Sequence, residues 1–164
     1  MGTSSEPSVT SVDLDAPADA APEAIALMHR AFAQYAAAGQ TSGASLETVQ
    51  TLLAEMSKGT HLGLTRVHGV PAALVKWRVE GDSVYFSRLG VDPRLRGRGL
   101  AAQLVRGLQA FAEEHHLAGL SCTVRAAEAG NIALYERLGM EIVQRGERAS
   151  LTGAVIPVVH MRSR

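Results

Sequence analysis

The sequence predicts an α/β (α+β) fold in which a mixed central sheet of about seven strands packs against four helices. Seven short runs carry the alternating or continuous apolar residues that are typical of strands. Four longer stretches repeat apolar residues every three or four positions, which is the spacing of an amphipathic helix. In chain order these elements are a strand, two helices, three strands, a helix, a strand, a helix and two strands.

The first third of the chain predicts one edge strand and two helices. The alternating segment Val9–Leu14 is the strand. A helical pattern starts at Pro22 and is expected to end near Gly39. The apolar face of this helix consists of Ile25, Met28, Phe32 and Tyr35. The second helix is expected to have Ser45 as its N-cap and Gly59 as its stop. Its buried stripe consists of Val49, Leu52, Leu53 and Met56.

Three strands are predicted next, over His61–Val67, Ala72–Val79 and Ser83–Val91. Short gaps that contain glycine separate them, so they are expected to be antiparallel neighbours joined by hairpins. The third strand has apolar residues on both faces, which predicts a central position in the sheet. Gly90 interrupts this strand near its end, and a glycine there often marks a bulge or a close approach of backbone.

The stretch 91–102 predicts a phosphate-binding loop between that central strand and a helix. Asp92 and Pro93 end the strand, because proline has no amide proton for the ladder. Gly97 and Gly99 allow a sharp turn and a close approach to a ligand. The first turn of the next helix has free amide groups and the positive end of the helix dipole, both of which attract anions. Additional positive charge comes from Arg94, Arg96 and Arg98.

Three phosphate ligands compete for this loop. A nucleoside triphosphate would require a Gly-Lys-Ser/Thr ending, which the sequence lacks. Residues 97–102 match the dinucleotide pattern G-x-G-x-x-A, but only about sixty residues follow, too few for the further strand-helix units of that fold. The remaining possibility is a pyrophosphate group. Consecutive backbone amides of the loop would bind it, and the arginines would lie outside it.

The last third predicts two helices and three strands. The helix that follows the loop extends over Arg98–His116, and a strand follows over Leu120–Arg125. Because a helix connects it to the central strand, this strand is expected to run parallel to that strand. Asn131 is expected to cap a short helix that ends at Gly139. The final two strands are predicted over Glu141–Arg148 and Ala154–Arg162.

Two of these segments resemble the GNAT superfamily of acyl-CoA-dependent N-acyltransferases. Arg96–Ala101 is similar to its R/Q-x-x-G-x-G/A signature, and Asn131–Met140 is similar to its second motif. The resemblance implies the GNAT fold and the transfer of an acetyl group from acetyl-CoA to a primary amine of a small molecule or peptide. It also implies direct attack on the thioester in a ternary complex, without a metal.

The resemblance also implies where coenzyme A binds. The backbones of Leu89 and Val91 would contact the pantetheine arm, and a backbone amide beside Gly90 would bind the oxyanion. The other implied cofactor contacts are Arg96, Gly97, Arg98, Gly99, Leu100, Ala101 and Asn131.

Tyr135 matches the general acid of this family. It lies one helical turn after Asn131, so both side chains can face one cleft. A phenol and a thiol have similar pKa values, so the phenol can protonate the departing thiolate. The alternative is that Tyr135 packs against the sheet and hydrogen-bonds to the cofactor. Weaker candidates for acceptor contacts are His29, Arg30 and Tyr35.

The sequence leaves the general base open. Some relatives carry a glutamate on the central strand where Tyr85 stands here. Glu80, Asp82, His61, His115 or a chain of water molecules could take this role, and nothing ranks them. Cys122 is a poor nucleophile candidate, since no neighbour in the sequence would activate it.

Composition predicts one domain over residues 9–164 after a flexible N-terminus over residues 1–8. The 164 residues include 16 basic and 16 acidic ones, so nothing indicates a nucleic-acid or membrane partner. The single cysteine and the absence of a signal-peptide pattern lead us to expect a cytoplasmic protein. Formation of a homodimer stays open.

Two alternatives to an enzyme of this class stay open at the level of sequence. The first is a non-catalytic acyl-CoA-binding module that regulates a partner, which the missing glutamate on the central strand favours. The second is a nucleotide-dependent oxidoreductase that uses the glycine-rich loop for a dinucleotide. The identity of the acceptor and the length of the acyl chain are also open.

Overall fold

A computed structural model describes residues 9–34, 43–150 and 153–164. Its seven strands are β1 (Thr10–Asp13), β2 (His61–Val67), β3 (Val70–Glu80), β4 (Ser83–Val91), β5 (Leu120–Arg125), β6 (Met140–Ala149) and β7 (Val155–Ser163). Its described α-helices are α1 (Ala21–Ala31), α2 (Val49–Met56), α3 (Leu100–Glu114) and α4 (Ala129–Arg137). The mixed α/β class and the predicted order β1-α1-α2-β2-β3-β4-α3-β5-α4-β6-β7 are confirmed. The N-terminal residues 1–8 lie outside the described part.

The strands form one mixed sheet in the order β1-β2-β3-β4-β5-β7-β6. β4 and β5 pair in parallel, and each other neighbouring pair is antiparallel. β4 is therefore central and parallel to β5, as the sequence predicts. The last strand, β7, inserts between β5 and β6.

β4 separates from β5 soon after the two strands meet. Their register consists of Val84 with Leu120 and Tyr85 with Ser121, and the pairing stops there. β5 instead continues its ladder with β7 as far as Arg125. The second half of β4 therefore borders a gap in the sheet.

β4 also carries a bulge in this half. Leu74 pairs with Gly90 and Lys76 with Ser87, so two residues of β4 lie opposite one residue of β3. Arg88, within the bulge, has a φ angle of +55°. The bulge therefore lies just before Gly90. Gly90 lets the end of α1 pack closely against β4, because an added Cβ atom would lie 2.9 Å from a ring carbon of Phe32.

Apolar helix faces cover both sides of the sheet. α3 buries Leu100, Leu104 and Leu108 in a cluster that includes Phe86. α1 and α2 bury a second cluster, which includes Leu27, Met28, Leu52, Leu62 and Leu74. Gly107 in α3 allows close packing, because an added Cβ atom would lie 3.2 Å from the side chain of Leu14.

Two predicted helix caps are wrong. Ser45 lies in a 3-10 turn over Gly43–Leu46, and α2 is capped by Thr48. The Thr48 hydroxyl accepts from the amide of Thr51, and the Thr51 hydroxyl accepts from the amide of Thr48, which forms a reciprocal capping box. α4 begins at Ala129 after the N-cap residue Glu128, so Asn131 lies within its first turn and is not its cap.

The described part of the first predicted helix consists of α1 and a short continuation. α1 ends at Ala31 with Phe32 as its C-cap residue, and residues 33–34 are again helical. The predicted helix positions Tyr35 and Gly39 lie outside the described residues. In the described part of the chain, no helix is long and apolar enough to cross a membrane.

Candidate functional site

The loop after β4 is fixed by one buried carboxylate. Asp92 is 2% exposed, and its side chain accepts from the Arg94 amide at 3.0 Å. The Arg94 and Arg30 guanidinium groups also lie within 3.5 Å of it. The side-chain hydrogen bonds from Arg94, then its backbone hydrogen bond and the charges of Arg94 and Arg30, hold the pKa of Asp92 below its usual range despite its burial. The carboxylate therefore stays ionised and anchors the loop.

The loop ends in two glycines with left-handed backbone. Gly97 has a φ angle of +81° and Gly99 one of +76°. An added Cβ atom at either position would meet no protein atom within 4 Å, so the backbone is open on that side. Gly99 is the N-cap residue of α3 and supplies no side-chain hydrogen bond to it. The first amides of α3 are thus available to a ligand.

A cavity of about 860 Å³ opens above this loop, between α1, the loop, α3 and α4. Nine of the ten predicted cofactor contacts line it: Leu89, Gly90, Val91, Arg96, Gly97, Gly99, Leu100, Ala101 and Asn131. Arg98 is exposed and does not line it. Arg96 is held at the edge of the cavity by a hydrogen bond of 3.0 Å to the carbonyl of Ala31. Segments distant in the sequence therefore converge on one space.

A second cavity, of about 110 Å³, lies where β4 and β5 separate. It shares Phe32, Leu89, Glu128 and Asn131 with the first cavity, so the two spaces adjoin. Tyr135 lines the second cavity. Its side chain is buried, with its ring edge-on to that of Phe86 at a centroid distance of 5.4 Å. The predicted general acid thus lies beside the junction of the two cavities.

The model of the acetyltransferase (GNAT) family matches residues 25–140, which is more than half of the chain. The chain belongs to this GNAT family. No curated protein sequence matches the chain. The family match begins within α1 and ends at the first residue of β6. It includes every residue that lines the larger cavity.

Solved structures share the fold of this GNAT protein at low sequence identity. The ribosomal-protein-S18-alanine N-acetyltransferase from Escherichia coli is 22% identical with a TM-score of 0.76, and the match covers 94% of this chain and 92% of that chain. The PaiA N-acetyltransferase from Thermoplasma acidophilum, in complex with coenzyme A, is 10% identical with a TM-score of 0.74 and coverages of 94% and 98%. A spermidine N-acetyltransferase chimera from Vibrio cholerae and hSSAT is 14% identical, with a TM-score of 0.76 and coverages of 95% and 95%.

The residues of this GNAT protein fit coenzyme A. A diphosphate requires open amides at a helix N-terminus, and the turn at Gly97 and Gly99 provides them. The separation of β4 from β5 leaves backbone groups of β4 that can hydrogen-bond to the amides of a pantetheine arm. Among the described residues, no cluster of three His, Cys, Asp or Glu side chains that could hold a metal ion was found.

The acids and histidines considered as general bases lie away from both cavities. Glu80 accepts from Arg78, and Asp82 lies 3.7 Å from Arg162. The other two are held by stacking on aromatic rings: His61 on Trp77, and His115 on Phe111. Neither cavity includes any of the four.

Two of the weaker acceptor candidates have contacts elsewhere. The Nε2 atom of His29 lies 2.9 Å from the carbonyl oxygen of Glu47, and Arg30 pairs with Asp92. These contacts link α1 to neighbouring segments. Tyr35 lies outside the described residues.

Sequence reasoning missed several residues that line the cavities. Glu128 is the one carboxylate that lines either cavity in the described part of the chain, and it lines both. A signal for it in the sequence is its position seven residues before Tyr135, about two helical turns away. Three arginines of the second cavity were also missed: Arg88, Arg125 and Arg148. They come from three different strands, so no local pattern unites them.

Cys122 lines the second cavity but is not poised to react. It is 4% exposed, and burial raises the pKa of its thiol from 9.0 to about 12. At neutral pH it is therefore a thiol, whereas a nucleophilic cysteine must be a thiolate. An acyl-cysteine intermediate is not supported by this environment.

The raised thiol pKa predicts a loss of stability in alkali. The folded state keeps the proton that the unfolded state releases above pH 9, so stability falls as pH rises toward 12. The slope is at most about 1.4 kcal/mol per pH unit. We expect urea unfolding between pH 8 and 11 to show a steeper decline for the natural protein than for Cys122→Ala. Parallel declines of the two proteins would contradict the assigned burial effect.

Proposed function

We propose that this GNAT protein is an N-acetyltransferase that transfers the acetyl group of acetyl-CoA to a primary amine of a small molecule or peptide. The proposal is supported by one arrangement above all. The open turn at Gly97 and Gly99 and the gap beside β4 border one cavity, and Tyr135 lies beside its junction with a second. A cofactor in the larger cavity and an acceptor in the second cavity can therefore meet where the two cavities adjoin.

The chain's own groups would hold the cofactor at both ends of the gap. The amides of Gly97, Gly99 and the first turn of α3 would bind the diphosphate. The backbone of Leu89 and Val91, beyond the last β4–β5 pair, would bind the pantetheine arm. Acetyl-CoA supplies the activated thioester, so the protein needs to contribute only positioning and proton transfer.

Tyr135 and Glu128 are the side chains suited to proton transfer. Tyr135 would donate a proton to the departing thiolate, because its side chain lines the cavity next to the gap. Glu128 lines both cavities and would receive the proton that the amine releases. With Cys122 protonated, the amine would attack the thioester directly in a ternary complex.

Binding of acetyl-CoA and release of its thiol together test this function. We expect acetyl-CoA to bind by calorimetry, and thiol release to require one class in a panel of amino acids, amino-terminal peptides, diamines and aromatic amines. Gly99→Ala should weaken acetyl-CoA binding by about tenfold, because it strains the turn that presents the amides.

Gly69→Ala is the matched control for that variant. Gly69 has a φ angle of +78°, close to the +76° of Gly99, and an added Cβ atom there also meets nothing within 4 Å. It lies in the β2–β3 hairpin and lines neither cavity. Equal losses of affinity for acetyl-CoA in both variants would contradict the role of Gly99 in binding the diphosphate.

The amine panel also distinguishes an enzyme from a regulatory module. Binding of acetyl-CoA without turnover on any amine would favour the non-catalytic acyl-CoA-binding module.

A further inference from the structure

The second cavity carries an excess of positive charge. Arg88, Arg125 and Arg148 line it from β4, β5 and β6, and Glu128 is the one acidic side chain among the described residues around it. Guanidinium groups that share one small cavity repel one another, and an anion bound between them reduces that repulsion. The proposed cofactor does not use these residues, because none of the three lines the larger cavity.

Arg88 is fixed in place by a buried network. Its Nε atom donates to Glu47 at 2.5 Å, and Glu47 is only 8% exposed. Glu47 also accepts from Lys76 at 2.6 Å. Lys76 in turn donates to Glu55 at 3.0 Å, so the network has two positive and two negative charges. The network therefore fixes the position of the Arg88 guanidinium, and its own four charges sum to zero.

Arg148 lies near the end of β6 and is exposed to solvent. Its guanidinium forms no hydrogen bond or salt bridge with another described residue. Burial, followed by repulsion from Arg125 and Arg88, lowers its pKa from the usual value, whereas Tyr85 has a small opposite effect. Arg125 and Arg88 therefore lie close enough to Arg148 to disfavour its charge, and an anion bound in the cavity would relieve that repulsion.

We infer that this cavity is an acceptor subsite that binds an anionic group of the amine substrate, a carboxylate or a phosphate. The inference rests on the proposed function and narrows its acceptor class. Arg148 can donate paired hydrogen bonds to such a group, which guanidinium geometry favours, and Arg125 adds positive charge to the same cavity. Glu128, at the junction with the larger cavity, lies where the amine of the same molecule would approach the thioester.

The size and charge of the cavity select among acceptors. A volume of about 110 Å³ suits a small zwitterion, such as an amino acid or an amino-phosphate, with its anion among the arginines and its amine toward Glu128. A polyamine would bring positive charge toward three arginines and is disfavoured. The acceptor class thus differs from that named for the spermidine N-acetyltransferase chimera.

Matched pairs of amines test the inference. Glycine and β-alanine are each compared with their uncharged amides, phosphoethanolamine separates phosphate from carboxylate, and 1,3-diaminopropane represents polyamines. We expect kcat/KM to be at least tenfold higher for the anionic member of each pair, which corresponds to one charge-assisted hydrogen bond. Equal or better turnover of the amides or the diamine would overturn the inference.

Variants of Arg148 separate recognition of the anion from general damage. Arg148→Gln should raise KM for the anionic amines by about tenfold and leave KM for the amides and the affinity for acetyl-CoA unchanged. Arg148→Lys should recover part of the loss, because it restores charge without the planar fork. Arg145→Gln on the same strand is the control, since Arg145 lines neither cavity. A uniform effect on all amines, or none, would overturn the inference.

Binding without turnover distinguishes this inference from the proposed function. β-Alanine and phosphoethanolamine are titrated against the protein in the presence of coenzyme A and followed by thermal shift. If no amine is acetylated but these ligands stabilise the natural protein and not Arg148→Gln, the anion site stands and the enzymatic proposal fails. If amides are acetylated and no anion binds, the enzyme stands and the anion site fails.

Discussion

Replacing Tyr135 by phenylalanine is expected to lower kcat by roughly 10²- to 10⁴-fold, the range of a lost general acid. The substitution removes one hydroxyl and keeps the ring. The edge-on contact with Phe86 at 5.4 Å should therefore survive, and the fold with it. Because Tyr135 does not line the larger cavity, the affinity for acetyl-CoA should change by less than about twofold.

Steady-state kinetics with the best amine and calorimetry with acetyl-CoA measure the two effects separately. Tyr85→Phe is the matched control, because it also removes one phenol from the wall of the second cavity. Tyr85 has no part in the proposed proton transfer. Unchanged kcat in Tyr135→Phe, or an equal loss in both variants, would remove Tyr135 from the proton-transfer step.

Replacing Glu47 by glutamine is expected to lower the free energy of unfolding by about 3 kcal/mol, since it breaks a buried ion pair from one side. Glu47 and Lys76 are 8% and 6% exposed, and their side chains lie 2.6 Å apart. Without the Glu47 charge, Lys76 keeps only the partly exposed Glu55, and Arg88 loses the partner at 2.5 Å. The neutral amide cannot compensate two cations.

Chemical denaturation measures this loss, and Glu80→Gln is the control. Glu80 pairs with Arg78 at 2.8 Å, but both side chains are about half exposed. Loss of such a surface pair should cost less than about 1 kcal/mol. Similar small losses of unfolding free energy in Glu47→Gln and Glu80→Gln would contradict the expected contribution of the buried Glu47 ion pairs to stability.

Local patterns predict most of the elements. The bounds of β2 and β4 match the structure, because apolar runs end at glycine-containing turns such as that at Gly81. The parallel β4–β5 pair follows from the connecting helix alone. The cap of α2 was misplaced because Ser45 and Thr48 both suit an N-cap, and only the 3-10 turn over Gly43–Leu46 decides between them.

The sequence predicts the glycine turn of the candidate site, but it does not predict which charged side chains line the second cavity. The turn at Gly97 and Gly99 is encoded within a few residues, so the sequence alone indicates it. The three arginines of the second cavity meet only because β5 and β7 bring the β6–β7 hairpin toward the gap, a long-range effect. Lys76 within an apolar strand was the visible sign of the buried network, but its partner Glu47 lies 29 residues away.

The structure of a complex with coenzyme A tests the central claim most directly. We expect the diphosphate oxygens to lie within about 3.2 Å of amides between Gly97 and Ala101, and the pantetheine arm to lie along the second half of β4. The sulfur should lie within hydrogen-bond reach of the Tyr135 hydroxyl. A diphosphate bound away from this turn, or a sulfur beyond the reach of Tyr135, would contradict it.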